Sequence, residues 1–267
     1  MQAQCIDGAI VWLGEHRVDG KLVARIGRHG DELVAEFPGV AMLRSDRRGS
    51  ETKLEPVPGA SAVALDKLDR GLVSALIGHL QGKVTLHASA VARSNRALAF
   101  AGKSGAGKST MAAAFCAREG NELVADDTVS LVTAQQDDAS APPLAVPTQD
   151  VVWLRQQDSV PKIAYAPARK RQNEVSLAGI VHLSFDDQLK APVLRRLRGQ
   201  DAFEALAQSI LRFAIDDAAV HSREFDQIVA IANGCPILEM RRPRDLAVLD
   251  QAVELATLLL ERGACGV

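Results

Sequence analysis

One octapeptide constrains this chain more than any other feature. Gly102-Lys-Ser-Gly-Ala-Gly-Lys108-Ser109 satisfies the pattern G-x-x-x-x-G-K-[ST] in full, and its neighbours are the ones that pattern needs. The fully apolar run Ala97–Ala101 precedes it and reads as a buried strand of an α/β sheet. Ser109–Glu119 follows without Gly or Pro and reads as a helix. In such a strand–loop–helix unit the glycines let the backbone fold back, so that successive N–H groups point inward at phosphates. The helix start adds its positive end. Lys108 supplies a point charge to β- and γ-phosphates, and the Ser109 hydroxyl is a ligand for a Mg²⁺ that bridges phosphate oxygens. The loop therefore implies the triphosphate of a nucleotide with Mg²⁺, lined by Gly102, Lys103, Ser104, Gly105, Ala106, Gly107, Lys108, Ser109 and Thr110. The competing reading is an ordinary Gly-rich β–α turn that binds nothing.

Asp126 and Asp127 follow the strand Glu122–Ala125. Ligands of open α/β sheets sit at the carboxyl ends of strands. Consecutive strand side chains diverge, so one carboxylate can hold the cation while the other accepts a proton. The residues alone leave open which does which, and a solvated acidic strand end is the alternative. His87, in Leu86-His-Ala-Ser-Ala90, is expected on the strand before the loop strand, as a catalytic group or as a core histidine bonded to backbone. His16, His29, His79, His182 and His221 have no such context and are read as structural or surface residues.

Around this centre the chain divides at about residue 82. Residues 1–82 read as a small β-rich module, with strand-prone runs at Ala9–Leu13, Leu22–Ile26, Glu32–Phe37 and Val40–Leu43 separated by glycines. The module ends in an amphipathic helix over 66–80. Residues 83–267 form the second domain. Val84–Ala92, Val129–Thr133, Val175–Ser184 and Pro236–Met240 are its further strand candidates, and Ala202–Phe213, Ser222–Ala232 and Asp245–Arg262 its helices. Residues 134–149 and 155–173 read as loops.

Composition narrows the classes. The 267 residues are 47% hydrophobic and 24% charged, an ordinary globular balance with a mainly aliphatic core, since only 4% are aromatic. A net charge of −2, with only short basic clusters at Arg169–Arg171 and Arg195–Arg198, gives no reason to expect a nucleic-acid partner. No C-x-x-C pair or zinc spacing involves Cys5, Cys116, Cys235 or Cys265, so free thiols in a reducing compartment are expected. Met1–Gly8 lacks the plan of a signal peptide and no stretch suits a bilayer, so the expected location is the cytoplasm, without membrane contact.

The motifs in combination resemble the C-terminal domain of HPr kinase/phosphorylase. Leu86-His-Ala-Ser-Ala90 is similar to that family's LHGS-like motif, the loop to its GxSGxGKS, and Leu123-Val-Ala-Asp-Asp127 to its VADD, in the same order. Met240-Arg-Arg-Pro-Arg-Asp-Leu-Ala-Val248 resembles its VRPGRNLAV segment. The resemblance, over about residues 84–262, implies an α/β P-loop kinase core related to phosphoenolpyruvate carboxykinase, and serine phosphorylation of a protein with ATP and Mg²⁺. It implies that His87 lies in the active site, that Lys108 binds phosphate, and that one of Asp126 and Asp127 is the base while the other lies near the metal. Ser109 with Asp126 is the metal pair it suggests, and Arg241 and Arg244 would recognise phosphate, Arg244 at the transferred group. The stretch nearest the family's second signature is Glu174–Leu183, in which Glu174 matches a metal-ligand position while Ser176 and Leu177 replace its Arg-Gly pair. Residues 1–80 do not resemble the family's usual N-terminal domain. The chain looks more similar to divergent members found with peptide-modification systems, which implies a serine-bearing peptide or small protein as acceptor, such as a lasso-peptide precursor. A homo-oligomer is implied as well. HPr itself as acceptor, or a module that senses ATP without transferring phosphate, are the alternatives.

Overall fold

Period-two alternation builds the first part of the chain. The structure is a computed structural model describing residues 9–18, 20–133, 141–148, 151–154, 163–213 and 218–263. The strands β1 (Val11–Val18), β2 (Lys21–His29), β3 (Glu32–Phe37), β4 (Ala41–Ser45) and β5 (Thr52–Pro56) pair in sequence order as an antiparallel meander. The register Ile26↔Ala35↔Leu43 lines up buried apolar residues across three strands. Arg25 stands opposite Glu36, is ion-paired with it, and lies over the Trp12 ring at 4.0 Å. β5 ends on Pro56, a residue tolerated because this is an edge strand. The helix expected over 66–80 is longer and interrupted. It consists of α1 (Ala62–Leu68), a π-helical turn at Asp69–Val73 around Gly71, and α2 (Ser74–Leu80).

These elements belong to a compact unit of residues 1–82, which also takes in residues 212–223; the second unit comprises 83–211 and 224–267. The sequence reading put 212–223 in the second module.

The second unit is organised on a mixed sheet. Its strands are β6 (Val84–Leu86), β7 (Ala88–Arg93), β8 (Arg96–Ala101), β9 (Asn121–Ala125), β10 (Val129–Val132), β11 (Leu144–Val146), β14 (Val175–Phe185), β15 (Val193–Arg196) and β16 (Ile237–Arg242). A separate ribbon pairs β12 (Val152–Leu154) with β13 (Ile163–Tyr165). The helices are α3 (Lys108–Cys116), α4 (Gly199–Ser209), α5 (Ala218–Gly234, in this unit from Glu224 on) and α6 (Leu249–Arg262). Short strands thus replace parts of both expected loops; the remainder of those stretches at 134–140, 149–150 and 155–162 lies outside the described residues, as do Met1–Gly8, Cys5 and Cys265.

Strand β8 explains the layering. Its Ala97, Ala99 and Ala101 face one buried cluster that includes Leu206, Ile228 and Ile231; its Leu98 and Phe100 face another with Met111, Phe115, Val253 and Ala256. Helices therefore cover both faces, which is why the run carries no polar residue. Fully burying side chains such as Phe100, Phe115 or Met111 contributes about 1.5–3 kcal/mol each.

The topology gathers one edge. β14 runs parallel to β8 and to β16, so all three end on the same side. β7 is antiparallel to β8 and starts there, with Ala88 opposite Ala101. β9 is antiparallel to β7 and ends there, with Ala125 opposite Ala90.

Candidate functional site

The loop at the end of β8 has the backbone its glycines allow. Gly102 has φ 135° and an added Cβ would stand 2.6 Å from the Leu183 carbonyl oxygen; Gly107 has φ 90°. Gly107 immediately precedes α3, which has no side-chain cap. The first-turn N–H groups are thus left for the loop's ligand. Lys108 is buried, its Nζ donating to the carbonyls of Gly102 (2.8 Å) and Lys103 (3.2 Å).

The two aspartates part company. Asp126 is fully buried. Its Oδ1 accepts from Ser89 Oγ at 2.5 Å and from Ser109 Oγ at 2.9 Å, and its Oδ2 from the Trp153 N–H at 2.8 Å. A P-loop hydroxyl hydrogen-bonded to a strand-end carboxylate is the donor set that holds Mg²⁺ beside a triphosphate. Both are hard oxygen donors, as that ion requires. Among the described residues no group of three or more His, Cys, Asp or Glu could hold a metal ion.

Asp127 adopts the left-handed conformation at φ 70°, which aspartate tolerates better than most residues. Its side chain is about one-third exposed, and its Oδ1 lies 3.9 Å from His87 Nδ1. That ring nitrogen is also 3.0 Å from the Asp127 carbonyl oxygen. His87 reaches this position because the strand expected over 84–92 breaks there. β6 ends at Leu86, β7 begins at Ala88, and the His87 N–H donates to the Ser209 carbonyl.

His87 lines a cleft of about 790 Å³ with the loop residues 102–106, His182, Phe185, Ser209 and Arg244. His182 escaped the sequence reading, although the pairing of β14 with β8 puts it opposite Ala101. Its Nε2 lies 2.7 Å from Ser209 Oγ, which donates to the Ala205 carbonyl. Burial pushes the ring's pKa down.

The expected arginines separate. Arg244 reaches the cleft, with its Cζ 4.4 Å from the centroid of the Phe185 ring. Arg241 pairs with Asp186 at 3.2 Å and approaches Glu239 at 3.9 Å. Alternation along β16 instead turns its neighbour, the buried Arg242, against the loop: an added Cβ on Gly107 would collide with Arg242 Nη2. Glu174 does not join the site. It is exposed and precedes β14, whose Ser176 pairs with Arg96 at the far end of β8. At about 3.3 Å per residue, that end is roughly 17 Å from the loop, too far for a metal ligand there.

No family model matches this chain, and no curated protein does. Among solved structures it is similar to the HPr(Ser) kinase/phosphatase from Coxiella burnetii, at 15% identity over 67% of this chain and 99% of that one, with a TM-score of 0.39. Among the described residues no helix is long and apolar enough to cross a membrane.

Proposed function

We propose that this protein is an ATP- and Mg²⁺-dependent kinase that phosphorylates a serine of a peptide or small protein, with a lasso-peptide precursor as the acceptor class its motifs suggest. The observation that carries this reading is the division of the adjacent carboxylates: Asp126 is buried against Ser109, and Asp127 is turned out beside His87. A module that only senses nucleotide has no use for the second carboxylate.

In the reaction, Asp127 takes the proton from the acceptor hydroxyl as its oxygen bonds to the γ-phosphorus, and the bond to the β,γ-bridging oxygen breaks to leave ADP. The loop N–H groups and Lys108 hold the β- and γ-phosphates, and Arg244 neutralises charge on the transferred group. Mg²⁺, which Ser109 and Asp126 would hold, would supply neutralisation of the phosphate charge. His87 orients Asp127 through its carbonyl.

The test offers γ-labelled ATP and Mg²⁺ with a serine-bearing precursor peptide and, in parallel, HPr, using Lys108→Ala as control. Label on the peptide, absent with Lys108→Ala, supports the reading. Label on HPr alone transfers the protein to the alternative acceptor. Label on neither, with tight ATP binding, favours the sensor.

A further inference from the structure

Among the described residues, a buried charge beside the loop has no counter-ion. Arg242 is 3% exposed, and its Nε, fully enclosed, has no hydrogen-bond partner among the described residues. No carboxylate of the described residues lies within ion-pair distance of it; the acidic groups nearby go to Arg241, Arg195 and the Arg244 backbone. Its guanidinium rests over the Phe185 ring with Cζ 4.6 Å from the centroid, and Arg244 lies on the same ring. Burial and the Arg244 charge both push its pKa down. A buried charge left unpaired is costly, and a cation–π contact offsets only part of that cost. The chain nevertheless holds this group against Gly107, at the sheet edge where Lys108 and Arg244 also converge. Its Nη2 occupies the space that a side chain at Gly107 would fill, so the arginine in this position requires a glycine there.

We propose that Arg242 is a phosphate ligand of this loop, its guanidinium donating to a phosphate oxygen of the bound nucleotide, whose charge supplies the missing counter-ion. The inference rests on the reading that the loop takes a nucleoside triphosphate. It assigns that contact to a residue the motif comparison passed over in favour of Arg241.

Two readouts on the full chain test it: calorimetric titration with MgATP and MgADP, and melting without nucleotide. Arg242→Met keeps the length of the side chain and removes the charge. It should weaken MgATP at least tenfold, while melting no lower than the wild type, because an unpaired buried charge has been removed. Weakening with MgATP alone assigns the contact to the γ-phosphate, and equal weakening with MgADP assigns it to an inner phosphate. Arg118→Met, which loses only an ion pair with Asp250, should bind like the wild type. Wild-type affinity in Arg242→Met overturns the proposal, as does a lowered melting point with unchanged affinity, which makes the residue a strut. If Arg242→Met does not fold, Arg242→Lys, which keeps charge and stem but not the planar fork, must weaken MgATP several-fold; wild-type affinity there also overturns it. If the wild type binds no MgATP at all, the nucleotide reading fails and the proposal falls with it.

Discussion

Replacing Asp126 by Asn separates what this carboxylate does for the fold from what it does for a cation. The change keeps size and shape, so its cost follows from the contacts. In the folded chain Oδ1 accepts from Ser89 and Ser109 and Oδ2 from the Trp153 N–H. An amide oxygen can keep the Trp153 bond, and the amide N–H₂ can donate to the two hydroxyls, which rotate to accept. Bonds to a charged group, worth about 1.5–3 kcal/mol, then become neutral ones of about 0.5–1.5. The desolvation penalty of a buried charge is lifted at the same time. The net expectation is a loss of about 1–2 kcal/mol, a fall in melting temperature of roughly 2–8 °C. The cation feels far more. Two unit charges about 4 Å apart interact by about 4 kcal/mol at an effective dielectric constant of 20, and half of that is roughly thirtyfold in affinity. Calorimetric titration with ATP, in Mg²⁺ and in EDTA, reads this directly. The wild type should bind more tightly with Mg²⁺, and Asp126→Asn should lose most of that gain while binding metal-free ATP no worse. A variant that keeps the full Mg²⁺-dependent gain refutes the assignment of Asp126 to the cation.

Other outcomes follow from the same structure. Gly102→Ala should destabilise the second unit by more than about 2 kcal/mol, because its Cβ would meet the Leu183 backbone at 2.6 Å in a φ region hostile to side chains; urea unfolding measures this. His79, buried in the first unit against Phe213, has its pKa pushed down to about 4, chiefly by burial and secondly by the Arg223 charge. The unfolded chain therefore binds the extra proton between about pH 6.5 and 4, so stability is complete above that window and falls through it, by about 2–3 kcal/mol at pH 4.5; unfolding at pH 7 and 4.5 should show the loss, and His79→Gln should flatten it. Burial pushes the thiols of Cys116 and Cys235 up to about 12, so both should resist alkylation in the native protein and react once it is denatured, as read by mass spectrometry.

The sequence made the loop and its strand legible because both are local: glycine spacing, an apolar run and a breaker-free helix need no distant partner. The adjacent aspartates were legible as a pair, but not their separation, which depends on a left-handed residue at Asp127 and on donors from Ser89 and Trp153 far along the chain. The break at His87 has no local signal either, since it is fixed by the Ser209 carbonyl and by Asp127. Strands such as β11 and β13 are three residues long and take their structure from partners rather than from pattern. Arg242 was missed because the last strand was ended at Met240. Carried on to Arg242, its alternation would have turned Arg241 and Arg242 to opposite faces.

The most direct measurement is a single-turnover transfer of γ-labelled phosphate to the acceptor peptide, comparing the wild type with Asp127→Asn at matched, saturating MgATP. Asn tolerates the left-handed backbone and keeps the side chain's shape, so MgATP affinity and folding should be unchanged. Loss of the base should slow transfer by about 10²-fold or more. Transfer at the wild-type rate by Asp127→Asn, with MgATP bound equally well, would contradict the assignment of Asp127 as the base.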